Sequence, residues 1–371
     1  MNSIPRFRKS LGPVVLASIV LAGIPGTATN AAAQRYQDLR TPESPLVLKA
    51  QGNFFVGGET VEQTFIEVGG FRPPGRIAVN QMYVEFMVPE RGTKVPVVMV
   101  HGAYLSGKSW ETTPDGRMGW YEYFVRRGHP AYVVDQVGRA RSGFNQAAFN
   151  DVRAGLLPDT AQPPILRISD ENTWSNFRFG PRFGVPFPDA KFPVKAADEF
   201  AKQSIPDLNR GLPSPNPTYK ALSDLAIQVK GAVLMTHSQS GRFGVEAALI
   251  NAEGIEGLVL LEPGNCLPTQ ETDQQIARLA RLPILVVFGD HLGDVDTGVP
   301  GFTWPMAFES CKAFIARINA AGGNARMLHP AELGIQGNSH MIMQDRNSLR
   351  IADLILRWID RNIGRKAIAS R

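Results

Sequence analysis

The feature that most constrains this chain is a series of short, continuous apolar runs. They are Val95-Pro96-Val97-Val98-Met99-Val100, Ala131-Tyr132-Val133-Val134-Asp135, Ala232-Val233-Leu234-Met235, Leu258-Val259-Leu260-Leu261 and Pro283-Ile284-Leu285-Val286-Val287-Phe288. Runs of this length that do not alternate suit strands covered on both faces, as in a parallel sheet between helical layers. Helical stretches are predicted between and after them, at 242–252, 307–321 and 346–362. The last carries Leu349, Ala352, Ile355 and Trp358 at helical spacing. Residues 45–66 and 76–89 alternate instead, as in Met82-Tyr83-Val84-Glu85-Phe86-Met87, and read as opening antiparallel strands. Strands alternating with helices predict an α/β fold with a mostly parallel central sheet and helices on both faces.

The interval 146–215 breaks this rhythm. It is rich in Pro, Asn and Phe, has no strong strand run, and holds Trp174, Phe177, Phe179, Phe183, Phe187 and Phe192. An interval this long between strands reads as an inserted cap, leaving 34–145 and 216–371 as the core. Its aromatics either form the cap's own core or line a pocket beneath it. Trp174 and Phe177 are the pocket candidates within the cap, and Tyr104 is the one outside it.

The first 33 residues read as an export signal. Arg6, Arg8 and Lys9 precede an apolar run from Leu11 to Ile24, and Ala31-Ala32-Ala33 offers a cleavage site. The run is 14 residues long and contains Gly12, Pro13 and Gly23, short of the roughly 20 that a membrane span needs. An exported product is expected, periplasmic or extracellular, with no stable membrane anchor. These residues carry three of the chain's five net positive charges, so the remainder is close to neutral and nucleic acid is not an expected partner. Two cysteines cannot make a disulfide scaffold or a cysteine-only metal site. In an oxidising compartment Cys266 and Cys311 are expected to pair.

Two motifs compete for the chemistry. Gly102-Ala103-Tyr104-Leu105-Ser106-Gly107-Lys108-Ser109 fits the phosphate-cradling pattern G-x-x-x-x-G-K-S after a strand. A phosphate site needs a helix starting at the Lys-Ser pair. Pro114, Asp115 and Gly116 interrupt any such helix within two turns, so nucleotide binding is rejected. The second motif, Thr236-His237-Ser238-Gln239-Ser240-Gly241, follows one apolar run and precedes a helical stretch. It fits a small-x-Ser-x-small nucleophile elbow, with Thr236 and Ser240 in place of glycines. Ser238 is preferred to Ser240 because Arg242 would stand where the elbow needs a small residue.

A serine nucleophile needs a histidine base and an acid to orient it. Of the histidines after Ser238, His340 lies in Gly337-Asn338-Ser339-His340-Met341, between the last strand and the last helix; His329 and His291 are alternatives. For the acid, Glu262 closes an apolar strand one step from the elbow, where a charge needs a partner. Asp290, with Asp294 and Asp296 nearby, stands after the next strand and is the rival. Asp294-x-Asp296 lacks the other ligands of a calcium loop, so no metal is expected. Oxyanion donors are expected from the backbone of Gln239 and Ala103, with His101 a structural hydrogen-bonder beneath that turn.

With these residues assembled, the chain resembles a small family of secreted bacterial α/β-hydrolase carboxylesterases with a Ser-Glu-His triad. The likeness rests on His101-Gly102, Trp110 to Arg117, Asp135 to Arg139, His237 to Gly241, Glu262-Pro263-Gly264 and Gly337 to His340. It implies the α/β-hydrolase fold, Glu262 as the acid, and serine esterase chemistry without a cofactor. Members of that family can carry adjacent cysteines in the oxyanion turn, where this chain has Ala103-Tyr104. Esterases that de-esterify sulfonylurea herbicides look similar. The expected substrate is a small-molecule carboxylic ester with an apolar or aryl part. Lactonase, amidase and cofactor-free perhydrolase chemistry would use the same triad, whereas a non-catalytic binding module would require a broken one. The oligomeric state stays open, a homodimer included.

Overall fold

The apolar runs become neighbours in one eight-stranded sheet. A computed structural model describes residues 34–363 except 65, 68–69, 92–93 and 268–269; the expected export signal lies outside the described residues. The strands are β1 (Leu48–Gln63), β2 (Gly75–Pro89), β3 (Val97–Val100), β4 (Ala131–Asp135), β5 (Ala232–His237), β6 (Ile255–Leu261), β7 (Pro283–Val287) and β8 (Asn324–Leu328). Their order is β1-β2-β4-β3-β5-β6-β7-β8. β1 pairs with β2, and β2 with β4, antiparallel; β4 through β8 run parallel. Every residue of β3 and β5 is buried, whereas β1 at the sheet edge is mostly exposed.

The helices are α1 (Trp120–Arg126), α2 (Ala147–Arg153), α3 (Asp170–Asn176), α4 (Ala197–Ala201), α5 (Pro217–Gln228), α6 (Phe243–Ile250), α7 (Asp273–Leu279), α8 (Trp304–Ala320) and α9 (Ser348–Asn362). Alternate strand side chains serve opposite faces. Val98, Val100, Leu234, Leu258 and Val286 pack with α5, α6, α7 and α8. Val97, Met99, Val233, Met235 and Val259 pack with α1, α9 and the aromatics between residues 174 and 200. Burying apolar surface on both faces is what holds a parallel sheet together, at about 25 cal/mol per Å².

The fold is the α/β-hydrolase fold expected from the resemblance. Some details differ from the sequence reading. The deepest face of α9 is Ile351, Ala352, Ile355, Leu356 and Ile359, while Leu349 and Trp358 are half-buried at its margin. The helix expected from residue 242 begins at Phe243, after a 3₁₀ turn over Ser238–Arg242. α1, α5 and α7 were not marked by the sequence. The phosphate-loop motif forms one 3₁₀ turn, Gly107–Trp110, and no helix follows until Trp120. Lys108 donates its Nζ to the Thr112 carbonyl at 2.6 Å. Among the described residues no helix is long and apolar enough to cross a membrane.

Candidate active site

Strand register alone brings the key residues together. Val100 pairs with Thr236, His237 with Leu261, and Leu261 with Val287. Residues 102, 238 and 262 therefore stand in one row just past the C-terminal strand ends, with Gly289 against Glu262 one residue beyond the register. The row spans the junction of β3 and β5, where the strand order reverses, the usual ligand position in such sheets. Packing in the row is tight. A Cβ on Gly102 would lie 2.8 Å from Ser238 Cβ, and one on Gly289 would lie 2.9 Å from Glu262 Oε1. Glycine leaves room there for the serine and the carboxylate.

Ser238 has φ +59°, left-handed for a non-glycine residue, the strained backbone of an elbow that raises its side chain above the sheet. Ser240 is buried and supports the turn: its Oγ accepts from His237 N at 2.9 Å and lies 2.9 Å from the His237 carbonyl. The serine at the small position thus works as a backbone clip, which explains its tolerance in place of glycine.

His340 Nε2 lies 2.9 Å from Ser238 Oγ, and His340 Nδ1 lies 3.2 Å from Glu262 Oε2. With Nδ1–H donating to the carboxylate, Nε2 is left to accept the serine proton. The imidazole is walled by rings: Trp304 at 4.5 Å, His237 at 4.6 Å and Phe177 at 4.8 Å between centroids. Its backbone is also held, since His340 N donates to the Phe177 carbonyl at 3.0 Å and His237 Nε2 lies 3.0 Å from the His340 carbonyl. Burial keeps His237 neutral, well below the ordinary histidine range. The buried Asp345 carboxylate, pushed up to about 6 by burial, accepts from Ser339 Oγ at 2.6 Å and Asn338 Nδ2 at 2.8 Å, fixing the turn.

Glu262 is fully buried. Burial pushes its carboxyl up, but the Arg178 guanidinium and His340 outweigh that and hold it down at about 2. Arg178 Nη2 is 2.6 Å from Glu262 Oε2, and Gly289 N donates to Oε1. Arg178 is itself buried, donates Nε to the Asp290 carbonyl at 2.7 Å, and lies over the Trp304 ring at 4.6 Å. Trp304 begins α8, set by the Thr303 cap, and donates Nε1 to the Asn176 carbonyl at 2.7 Å. Burial also lowers the His340 imidazole below the ordinary histidine range; Glu262 opposes this and Arg178 adds to it.

The rival assignments go elsewhere. Asp290 accepts from His291 N at 2.8 Å and Gly337 N at 3.0 Å, so its carboxylate braces the loop that carries His340. His291 is bracketed by Asp189 at 2.9 Å and Asp294 at 2.8 Å and stacks on Phe187. Asp189, Asp290 and His291 bring donor atoms within 4.8 Å of one another, with His291 already committed to its two carboxylates. His329 faces Glu332.

Ala103 and Gln239 are half-buried beside Ser238. The Gly102 carbonyl is held by His101 Nδ1 and Arg139 Nη1, both at 2.9 Å, so His101 sits under the turn as expected. Tyr104, next in the turn, has φ +60° and is half-exposed. Phe177 touches the imidazole, but Trp174 does not: it packs on Phe179 and Phe183 and lines a cavity of about 150 Å³ with Phe200 and Val194. Most aromatics between residues 174 and 200 share one core, with Phe179 stacked on Phe192 at 3.6 Å. Cys266 and Cys311 are joined by a disulfide that ties the loop after Glu262 to α8. Arg178, Trp304, His237, Arg139 and Asp207 were not assigned roles from sequence. The only signal for Arg178 was a cation placed among aromatics in Asn176-Phe177-Arg178-Phe179.

Comparison with known proteins places the chain. It is similar to a bacterial esterase of known structure, with 44% identity, 88% of this chain and 99% of that chain covered, and a TM-score of 0.82. The chain belongs to the α/β-hydrolase esterase family. As a member, it is a hydrolase that acts on ester bonds. This esterase also resembles the Probable secreted lipase phiG of a fungal species (strain ATCC 74256), at 25% identity over 337 residues, covering 76% of this chain and 86% of that one. No protein-family profile matches the chain.

Proposed function

We propose that this esterase is an exported serine carboxylesterase that works through an acyl-enzyme. The observation that carries the reading is the continuous Ser238–His340–Glu262 chain at 2.9 and 3.2 Å. His340 Nε2 takes the Ser238 proton as Oγ attacks the ester carbonyl. The Gln239 and Ala103 amides stabilise the oxyanion, and His340 returns the proton to the leaving alcohol. Water, activated by the same imidazole, then attacks the acyl-enzyme and releases the acid. Glu262 holds the imidazole tautomer and stabilises its charged form. Phe177 and Trp304 beside His340 favour an ester with an apolar or aryl part, and Tyr104 is a further candidate contact. Export is supported by the basic-then-apolar first 33 residues and by the likeness to a protein named a secreted lipase. The residues between 146 and 215 are read as the cap.

A panel of short-chain, long-chain and aryl esters, run with rapid quenching and intact-mass analysis, tests the reading. The expected result is a burst of alcohol and an acyl adduct on the peptide containing Ser238. Turnover with no adduct under single-turnover conditions, or equal turnover by Ser238→Ala, would overturn it.

A further inference from the structure

The reading of Ser238 as nucleophile leaves one buried charged cluster unused. Arg139, in the loop after β4, and Asp207, in the insertion, form an ion pair at 2.6 Å with both side chains buried. A pair taken out of water at this depth contributes little net stability by itself, so what it touches matters. Arg139 Nη1 donates to the Gly102 carbonyl at 2.9 Å and Nη2 to Gln239 Oε1 at 2.6 Å. Asp207 lies 3.4 Å from both Tyr104 N and Gln239 Nε2. Ile205 N, two residues earlier, donates to the Tyr104 carbonyl at 2.7 Å. Asp207 is itself fixed by reciprocal backbone bonds to Leu166.

These contacts converge on the two backbone amides that would meet an oxyanion. In a trans peptide the carbonyl and the following N–H point to opposite sides. Fixing the Gly102 carbonyl toward His101 and Arg139 turns the Ala103 N–H the other way. Among the described residues no acceptor pairs with that N–H. The Gln239 N–H is a first-turn donor of the 3₁₀ turn after Ser238, left over for a ligand. The left-handed Tyr104 keeps its backbone angle only if the neighbouring peptides are held.

We propose that Arg139 and Asp207 are positioning residues for the oxyanion hole, the guanidinium fork fixing the Gly102–Ala103 peptide and Gln239 together while the insertion supplies the counter-ion. The hole is then assembled from two parts of the chain, and the insertion is a component of it. A lysine cannot replace the fork, because one ammonium does not reach two acceptors and a carboxylate in this planar arrangement.

The test rests on the Ser238 assignment, so Ser238→Ala is the first arm; if it remains active, the nucleophile reading and this proposal both fail. With that arm silent, Arg139→Lys, Asp207→Asn and the half-exposed Gln239→Met are compared with the parent. The probe is an aryl trifluoromethyl ketone. Ser238 Oγ bonds to its carbonyl carbon, the carbonyl electron pair becomes the oxyanion, and the serine proton passes to His340. Expected are a kcat lower by about 10–100-fold for Arg139→Lys and Asp207→Asn, against about 10²–10³ for outright loss of a donor. KM should stay within about 2-fold, and the inhibition constant of the ketone should rise in step with the loss in kcat/KM. Gln239→Met should show the same pattern at a few-fold. If Arg139→Lys or Asp207→Asn does not fold, Gln239→Met decides alone. Folded variants with parental kcat and parental ketone affinity, or a loss confined to melting temperature, would overturn the proposal.

Discussion

Two buried ion pairs flank the Ser238–His340 contact, and each joins the 146–215 segment to residues just past a strand end. On one side Arg178, just after α3, meets Glu262 at the end of β6. On the other Arg139, in the loop after β4, meets Asp207, between α4 and α5. The first acts on charge: its cation lies against the carboxylate that touches the imidazole, holding Glu262 at about 2 and helping to depress His340. The second acts on orientation, because its hydrogen bonds go to a backbone carbonyl and an amide side chain rather than to a titrating group. The same kind of pair can thus set a proton affinity or aim a peptide, depending on what else its atoms reach.

Removing the element both pairs serve gives the largest effect. Ser238→Ala should lower kcat by about 10⁶ in the proposed mechanism while the protein stays folded; steady-state kinetics with circular dichroism checks it. On the charge side, Glu262→Gln should cost roughly 10⁴ in kcat, since the amide no longer stabilises the imidazolium and can select the wrong tautomer. Asp290→Asn should stay within about tenfold, because its carboxylate contacts the backbone of the His340 loop. The opposite ranking in folded variants would assign the acid to Asp290.

Arg178→Met sharpens the contrast through pH. In the proposed mechanism neutral His340 is the base, and burial lowers its pKa, with Arg178 adding to the shift. The acid limb of kcat/KM should therefore lie below pH 6.5 in the parent and move upward without the Arg178 cation. Arg139→Lys should leave that limb in place. Breaking the buried Arg178–Glu262 pair costs about 3–5 kcal/mol, so Arg178→Lys is measured beside it. An unmoved limb in a folded Arg178 variant would remove the proposed electrostatic distinction between the pairs.

The smallest catalytic effect is expected at a covalent tie that touches neither pair. Replacing Cys266 and Cys311 by alanine should lower stability by about 2–4 kcal/mol and leave kcat nearly unchanged, measured by denaturant unfolding and by turnover at low temperature. A large fall in kcat with intact folding would mean that the loop after Glu262 needs the bridge to hold the carboxylate in place.

Much of this molecule was legible one residue at a time. Continuous apolar runs mark doubly covered strands because burial on both faces leaves no polar position to alternate. The meeting of Ser238, Glu262 and His340 was legible because each stands just past a strand or in a late turn, where a parallel sheet collects side chains at one edge. The partners of Glu262 and of the Gly102–Tyr104 turn were not. Arg178 and Asp207 sit in a segment with no strand and little periodicity, 84 and 55 residues from Glu262, and neighbouring residues there gave no sign of facing the sheet. Sequence by itself determined the strand edge and which side chains stand on it, since local hydrophobic pattern and tight-turn sterics act over a few residues. Only the tertiary structure decided which buried charge meets which, because a desolvated ion is stabilised by whatever packs against it, and packing of a distant loop is not written in local pattern.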